Sequence, residues 1–443
     1  MNRSKIMVAA AAIAVAATLG AAVLPGSSDE TEADPGPVGI TVSDVAGPVP
    51  ASENVDGSIR QLRLRVDADP SDWASWAKLG LAYLAKSRAA ADPGYYPKAE
   101  HAFETSIRLD DDTNFEAIFG MSSLQASRHR FGSALRWARR GVEIRPDNAD
   151  VRGIMGDALV ELGRYRQAAD AMQKMINLRP ALPSYARVSY LSEVHGNMSD
   201  ARAAMRSAHR AAGTRDDAAW ALFHLGDLHF NAGDLRPALE RYQRAARIAP
   251  ANLLGKAGLA KIAAARGNLA KATTLLEEVV AGSGEPGYPA LLSELYLAAG
   301  RRVKAQRAFR IFRERETAER SNGTDTNLET ALIEADRGTH LRDALRRARA
   351  EYAKRRSVHV ADALGWVLHV SGRHTQAQRY SRESLRLGTK SALFHFHAGM
   401  IARKLDRDDR AERHLERALD INPYFSVRHA PTARRALDGL TDR

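Results

Sequence analysis

Twelve residues separate Gly226 from Ala238, and twelve more separate Ala238 from Pro250. The same spacing joins Gly156, Ala168 and Pro180, and again Gly399, Ala411 and Pro423. A small residue, a second small residue and a helix breaker in one register predict two short helices joined by a turn. The two small positions let the helix backbones approach to about 8–10 Å. The proline then turns the chain back for the next pair. A single such pair buries too little apolar surface to stand alone, so the pattern predicts stacking of pair upon pair.

Further copies extend the register. Ser122 with Ala134 and Pro146, Ser189 with Ala201 and Gly213, and Ala260 with Ala272 and Gly284 fit the same template. Ser293 with Ala305, Leu332 with Ala344, and Gly365 with Ala377 fit its first two positions. Trp76, Leu79, Gly80 and Tyr83 form the front of an earlier copy. Its back half, Ala99, Phe103 and Ser106, follows an insertion through Asp92, Pro93 and Gly94. From Ser122 onward neighbouring anchors lie 33 to 39 residues apart, which makes ten units with the Leu332 copy the most degenerate. Aromatic residues make up only 6% of the chain, which suits helices packed through small side chains. The units divide into residues 58–320, carrying units one to seven, and 321–443, carrying units eight to ten and a capping helix from Val427. The polar stretch Ser321 to Asn327 reads as a joint between two superhelical halves.

The first 57 residues differ in kind. Arg3 and Lys5 precede Ile6–Leu24, a run with no charge and Thr18 as its one polar side chain. A basic start followed by about 19 apolar residues reads as an export signal or a single membrane anchor over residues 1–25. A buried first helix of the domain is the bland alternative. Positive charge before the run and acids after it place the remainder outside the cytoplasm. Residues 26–57 hold Pro35, Pro37, Pro48 and Pro50 among Gly, Ser and acids, and read as a disordered tether.

The segment Trp76-x-x-Leu79-Gly80-x-x-Tyr83, together with Ala238-x-x-x-Tyr242 and Pro250, resembles the tetratricopeptide repeat family over about residues 70 to 425. That resemblance implies an all-α, right-handed superhelical solenoid of about ten helix pairs, acting as a scaffold for a protein or peptide in its concave groove. Family geometry puts the first helices on that groove. The implied groove residues are Phe223, Asp227 and Phe230 in the fifth unit, Asp362, Trp366 and His369 in the ninth, and Phe396, Met400 and Arg403 in the tenth. The alternative for these side chains is packing against the neighbouring unit. The Lys/Asn/Arg clamp of family members that grip an acidic C-terminal tail is missing, since Ala77, Leu81, Phe119 and Ser123 occupy its places.

The formal net charge of +12 favours anionic partners in general. Arginine concentrates on the second helices, as at Arg136, Arg139 and Arg140, Arg202, Arg206 and Arg210, Arg241, Arg244 and Arg247, Arg342, Arg346, Arg347 and Arg349, and Arg410, Arg413 and Arg417. This predicts a basic outer face, either a solvated surface or one that meets acidic partners. Nucleic acid is not favoured, because aromatics are not interleaved with the arginines. The runner-up function is nevertheless a cytoplasmic regulatory or nucleic-acid-binding repeat protein using that face. The membrane enters as a partner through the N-terminal run if it is not cleaved.

Catalytic and cofactor signatures are missing. The chain has no cysteine, which excludes disulfides and thiolate chemistry. Gly282-x-Gly284-x-x-Gly287 imitates a dinucleotide fingerprint but follows no strand and contains Pro286. His395 and His397, two apart on a helix, point to different faces and make a poor metal pair, and His224 with His229 is little better. The sequence therefore predicts no cofactor, no metal and no enzymatic activity.

Overall fold

The computed structural model describes residues 55–441, which are helical with no strand among them. The apolar run and most of the expected tether lie outside the described residues. Helix α1 (Val55–Ala68) leads into ten helical hairpins. The first five are α2/α3 (Trp73–Ala89, Tyr96–Leu109), α4/α5 (Phe115–Ser127, Phe131–Ile144), α6/α7 (Ala149–Glu161, Tyr165–Leu178), α8/α9 (Leu182–Val194, Met198–Arg210) and α10/α11 (Arg215–Asn231, Leu235–Ile248). The second five are α12/α13 (Leu253–Ala265, Leu269–Gly282), α14/α15 (Gly287–Ala298, Arg302–Ser321), α16/α17 (Asn327–Arg337, Leu341–Lys354), α18/α19 (Val358–Val370, His374–Ser384) and α20/α21 (Ala392–Arg403, Asp408–Ile421). A last helix, α22 (His429–Thr441), covers the end. The degenerate eighth unit is thus a complete hairpin.

Local chemistry sets the helix ends. Asp72, Asn114, Asn148, Thr214 and Ser391 cap first helices by accepting a backbone N–H two or three residues into the helix, which satisfies a donor the helix cannot. The turn between the two helices of a pair commonly holds glycine in the left-handed region, as at Gly163 and Gly196 with φ of 75° and 74°. L side chains avoid that region, so glycine is the natural occupant.

The small-residue register works as a steric slot. At two of the serine anchors the facing is direct: Ser189 donates its hydroxyl to the Ala201 carbonyl at 2.8 Å, and Ser293 to that of Ala305 at 2.9 Å, whereas Ser122 donates to the Phe119 carbonyl of its own helix at 2.7 Å. At Gly226 and Gly399 the vacancy takes a side chain four residues beyond the partner alanine, whereas at Gly365 the facing backbone itself fills it. A Cβ on Gly226 would lie 2.6 Å from the Tyr242 ring, and one on Gly399 2.7 Å from Leu415. Tyr242 serves two units, since a Cβ on Gly258 of the next first helix would lie 2.1 Å from the same ring. The ring is fully buried, so this one wedge joins the fifth and sixth hairpins.

The stack coils back upon itself. Arg355 donates to Glu161, 194 residues away. The Val358 amide donates to the Tyr165 hydroxyl across 193 residues, at 2.8 Å. Thr389 donates to the Val194 carbonyl across 195, and Asn422 to the Phe230 carbonyl across 192. A nearly constant separation means that each hairpin meets the same later hairpin relative to itself. One superhelical turn therefore takes about 5.7 units at a period of roughly 34 residues, and the second turn rests on the first. The polar stretch before α16 belongs to this seam: the Asp325 amide donates to the Arg128 carbonyl at 2.9 Å, and Thr326 donates to buried Glu316 at 2.8 Å.

Candidate functional site: the inner face of the first helices

The first helices are the interior of the array. Along α18, every residue from Val360 to His369 is buried, and the same holds from Ala219 to Leu228 in α10 apart from half-buried Trp220. Second helices carry the exposed faces, and Arg136, Arg139, Arg244, Arg247, Arg410, Arg413 and Arg417 are exposed there. Part of this outer charge is matched. Arg140 meets Asp111 at 2.7 Å, and Arg346 and Arg347 share Asp343 at 2.7 and 3.5 Å.

Polar residues on the inner face are tied from one unit to the next. Asp157 follows anchor Gly156 and receives a forked pair of bonds from Arg187 of the next first helix at 2.8 and 2.9 Å. Burial pushes the Asp157 carboxyl up to about 6, against the pull of Arg187. Asp227 follows anchor Gly226 and accepts from Lys261 at 2.8 Å and from the Tyr242 hydroxyl. His397 in α20 bonds Asp362 in α18 at 2.9 Å. Asp336 accepts from Trp366 Nε1 at 2.7 Å and lies 3.2 Å from His429 Nε2. Burial works against that carboxylate, yet the bonds from His429 and Trp366 hold it below the usual range. The result is a ladder of charge-assisted bonds joining successive first helices.

The nine expected groove residues divide accordingly. Phe223 is fully buried and sits 5.0 Å below the Lys261 ammonium. Asp227 and Asp362 belong to the ladder. Trp366, 6% exposed, stacks on His397 at 4.1 Å and on His369 at 5.2 Å. Phe396 packs on Phe425 and His429. These six, His369 included, are buried and make contacts inside the array; Phe230, Met400 and Arg403 are half-buried. Packing against the neighbouring unit, the alternative reading, describes five of the six, and His369 packs on Trp366 and His374 of its own hairpin.

His395 and His397 turn to different neighbours, His395 to His414 at 3.1 Å and His397 to Asp362. Gly282 ends α13 and Gly287 begins α14, so the glycine triplet is an inter-repeat connection. Sequence reasoning passed over Asp157, Arg187, Asp336 and His429. For Asp157 and Arg187 a usable signal existed, an acid next to a first-helix anchor with a base 30 residues later; Asp336 and His429, 93 residues apart, follow no such spacing.

Two stretches match models of the tetratricopeptide repeat, residues 220–252 and 392–425. These are the fifth and tenth hairpins. The described residues are therefore a helical repeat array, two of whose ten hairpins match the tetratricopeptide repeat. Solved structures similar to it include a thermophilic tetratricopeptide protein of Thermus thermophilus, at 20% identity over 42% of this chain and 95% of that one, with a TM-score of 0.37. The Cut9–Hcn1 hetero-tetramer of APC/C matches at 13% identity over 83% and 76%, with a TM-score of 0.43. PilW, a type IV pilus biogenesis factor, matches at 18% over 47% and 92%, with a TM-score of 0.39. No curated protein matches.

Proposed function

We propose that this protein is a non-enzymatic scaffold, exported or tethered to a membrane, that holds a protein or peptide partner against its first-helix face. The observation that carries the reading is the use of residues 73–421 as ten hairpins in one stack, which builds surface and leaves no separate catalytic body among the described residues. The apolar run Ile6–Leu24 behind a basic start supports the address. No helix among the described residues is long and apolar enough to cross a membrane, so a tether would fall to that run. Phe230, Met400 and Arg403 are the expected groove residues with surface left to offer, and they are the contacts proposed for the partner.

The test is a crosslinked pull-down with the full chain and a Phe230→Ala/Met400→Ala/Arg403→Ala variant. Loss of specific partners in the variant is expected. Equal capture of the same proteins would remove the groove assignment. Membrane fractionation of cells tests the address separately, and an intact chain found in the cytosol alone would remove it.

A further inference from the structure

The second helices of the last two hairpins enclose an open bowl of about 580 Å³. Its lining includes Arg382 of α19 and Arg410, Arg413 and Arg417 of α21, with His395 of α20 and His414 of α21. Glu416 and Asp420 complete the charged lining. None of the four guanidinium groups forms an ion pair with a carboxylate of the described residues. Elsewhere on the outer face such pairs form, as Arg140–Asp111 and Arg346–Asp343 show. Four guanidinium groups against two carboxylates leave two positive charges uncompensated around one concavity.

The two imidazoles add directed donors. His395 Nδ1 lies 3.1 Å from His414 Nδ1. One ring must donate across that contact and the other accept, because two Nδ1 protons cannot share it. The accepting ring then carries its proton on Nε2, which makes it an N–H donor within the same lining as the four arginines. Guanidinium groups and an N–H donor match the oxygens of a tetrahedral oxyanion, which takes several short charge-assisted bonds at once.

The geometry points to a binding site in this bowl for a doubly charged tetrahedral oxyanion, the chemistry of a phosphate monoester or of a phosphorylated lipid headgroup. This site is independent of the scaffold reading, since it lies on the second-helix side and involves none of the groove residues. Its failure would leave that reading untouched, and a failed pull-down would leave the site untouched.

Linkage provides a further signature. Burial, with His414 and Arg417 adding to it, lowers His395 to about 4. His414 is also lowered, by burial and then by Arg413 and Arg410. Arg382, Arg410, Arg413 and Arg417 face the pair and disfavour its protonation, while Glu416 and Asp420 favour it. An anion in the bowl reverses the balance, so binding draws in a proton. Affinity must then rise as pH falls from neutrality toward the free-state value.

Inorganic sulfate is the appropriate probe because its charge is constant over this range. Titration calorimetry at low ionic strength should show one saturable site on the full chain, tightening from pH 7.5 to pH 5. Arg413→Gln/Arg417→Gln should weaken binding roughly tenfold or more, since a charge-assisted bond contributes about 1.5–3 kcal/mol. Arg244→Gln/Arg247→Gln, equally exposed but outside the bowl, should leave it unchanged. His414→Phe should remove most of the pH dependence. Circular dichroism of each variant verifies folding. Phosphatidylcholine vesicles containing phosphatidic acid, compared with phosphatidylcholine alone, separate the sources: retention lost in the Arg413/Arg417 variant assigns a lipid headgroup, and sulfate binding without retention assigns a free oxyanion. Absence of saturable sulfate binding, or equal weakening by the Arg244/Arg247 variant, overturns the site.

Discussion

Arg355 is where the seam between superhelical turns is most exposed to perturbation. It follows the last residue of α17 and is 5% exposed. Its Nε donates to Glu351 at 2.6 Å, one turn earlier, and its guanidinium also donates to Glu161 on the opposite turn. The same group lies over the Phe131 ring at 4.9 Å. Glu351 and Glu161 are themselves buried. Replacing Arg355 with methionine keeps much of the packing volume but leaves buried Glu161 without its cation and buried Glu351 with only Lys354, 3.6 Å away. Breaking a buried pair in this way costs about 3–5 kcal/mol, far more than the roughly 0–1 kcal/mol of a surface pair. The loss should be read by urea denaturation and by hydrogen exchange at Val358, whose amide donates across the same seam. It should shrink as pH falls. Burial already raises the Glu351 carboxyl against the pull of Arg355; without that cation the folded form takes up a proton there before the unfolded chain does, and recovers stability in acid. Glu161→Gln/Glu351→Gln/Arg355→Met, which removes all three charges together, should retain much more of the parent stability. An Arg355→Met protein within about 1 kcal/mol of the parent, with Val358 still protected, would refute the seam as an energetic lock.

Two further outcomes follow from glycine and histidine positions. Gly196 and Gly267 share a left-handed turn conformation, at φ of 74° and 77°, but a Cβ on Gly196 would lie 2.2 Å from the Gly388 carbonyl oxygen whereas one on Gly267 meets nothing. Gly267→Ala should therefore lose about 1 kcal/mol from backbone strain alone, and Gly196→Ala at least twice that with faster exchange along the seam; equal losses would deny the turn-on-turn contact. His224 is fully buried with both ring nitrogens unpartnered, and burial lowers it to about 4. Its ordinary value in the unfolded chain is about 6.5, so its stabilising share is complete above that value and is lost as pH falls toward 4. Between pH 7.5 and 5 the parent should lose about 2 kcal/mol more than His224→Phe, measured as the difference between their urea midpoints; parallel pH profiles would mean the imidazole is solvated.

The hairpins were legible because their signal is steric and local. Gly226, Ala238 and Pro250 report a helix crossing, a facing helix and a stop within 25 residues, and Ser293 bonded to Ala305 shows that the spacing marks true opposition. What the glycines make room for was less legible. Tyr242, wedged under two of them, lies four positions beyond the alanine that the repeat makes conspicuous. The seam left almost no trace. Its contacts join residues 192 to 195 apart, and that distance depends on the superhelical pitch, which accumulates from small rotations between units. Periodicity gives the unit and says nothing of that rotation. Inner polar residues were misjudged for a related reason: Asp227 and Asp362 stand where a groove residue should, but Lys261 and His397 of the adjoining units reach them first.

Packing between adjoining units also limits how a partner can be held. Phe223 and Trp366 are packed beneath Lys261 and His397, so a ligand that needs them must first separate successive units. If opening costs about 3 kcal/mol, the competent fraction is near 1% and apparent affinity falls roughly a hundredfold. A partner that engages Phe230, Met400 and Arg403 as they stand incurs no such loss. Phe230 is coupled to the seam even so, because its carbonyl accepts from Asn422 at 2.8 Å. Occupancy at that end should therefore bias how tightly the second turn rests on the first. Conversely, a seam variant such as Arg355→Met should alter partner affinity without touching a contact residue, by the reciprocity that links any two equilibria sharing one conformational change.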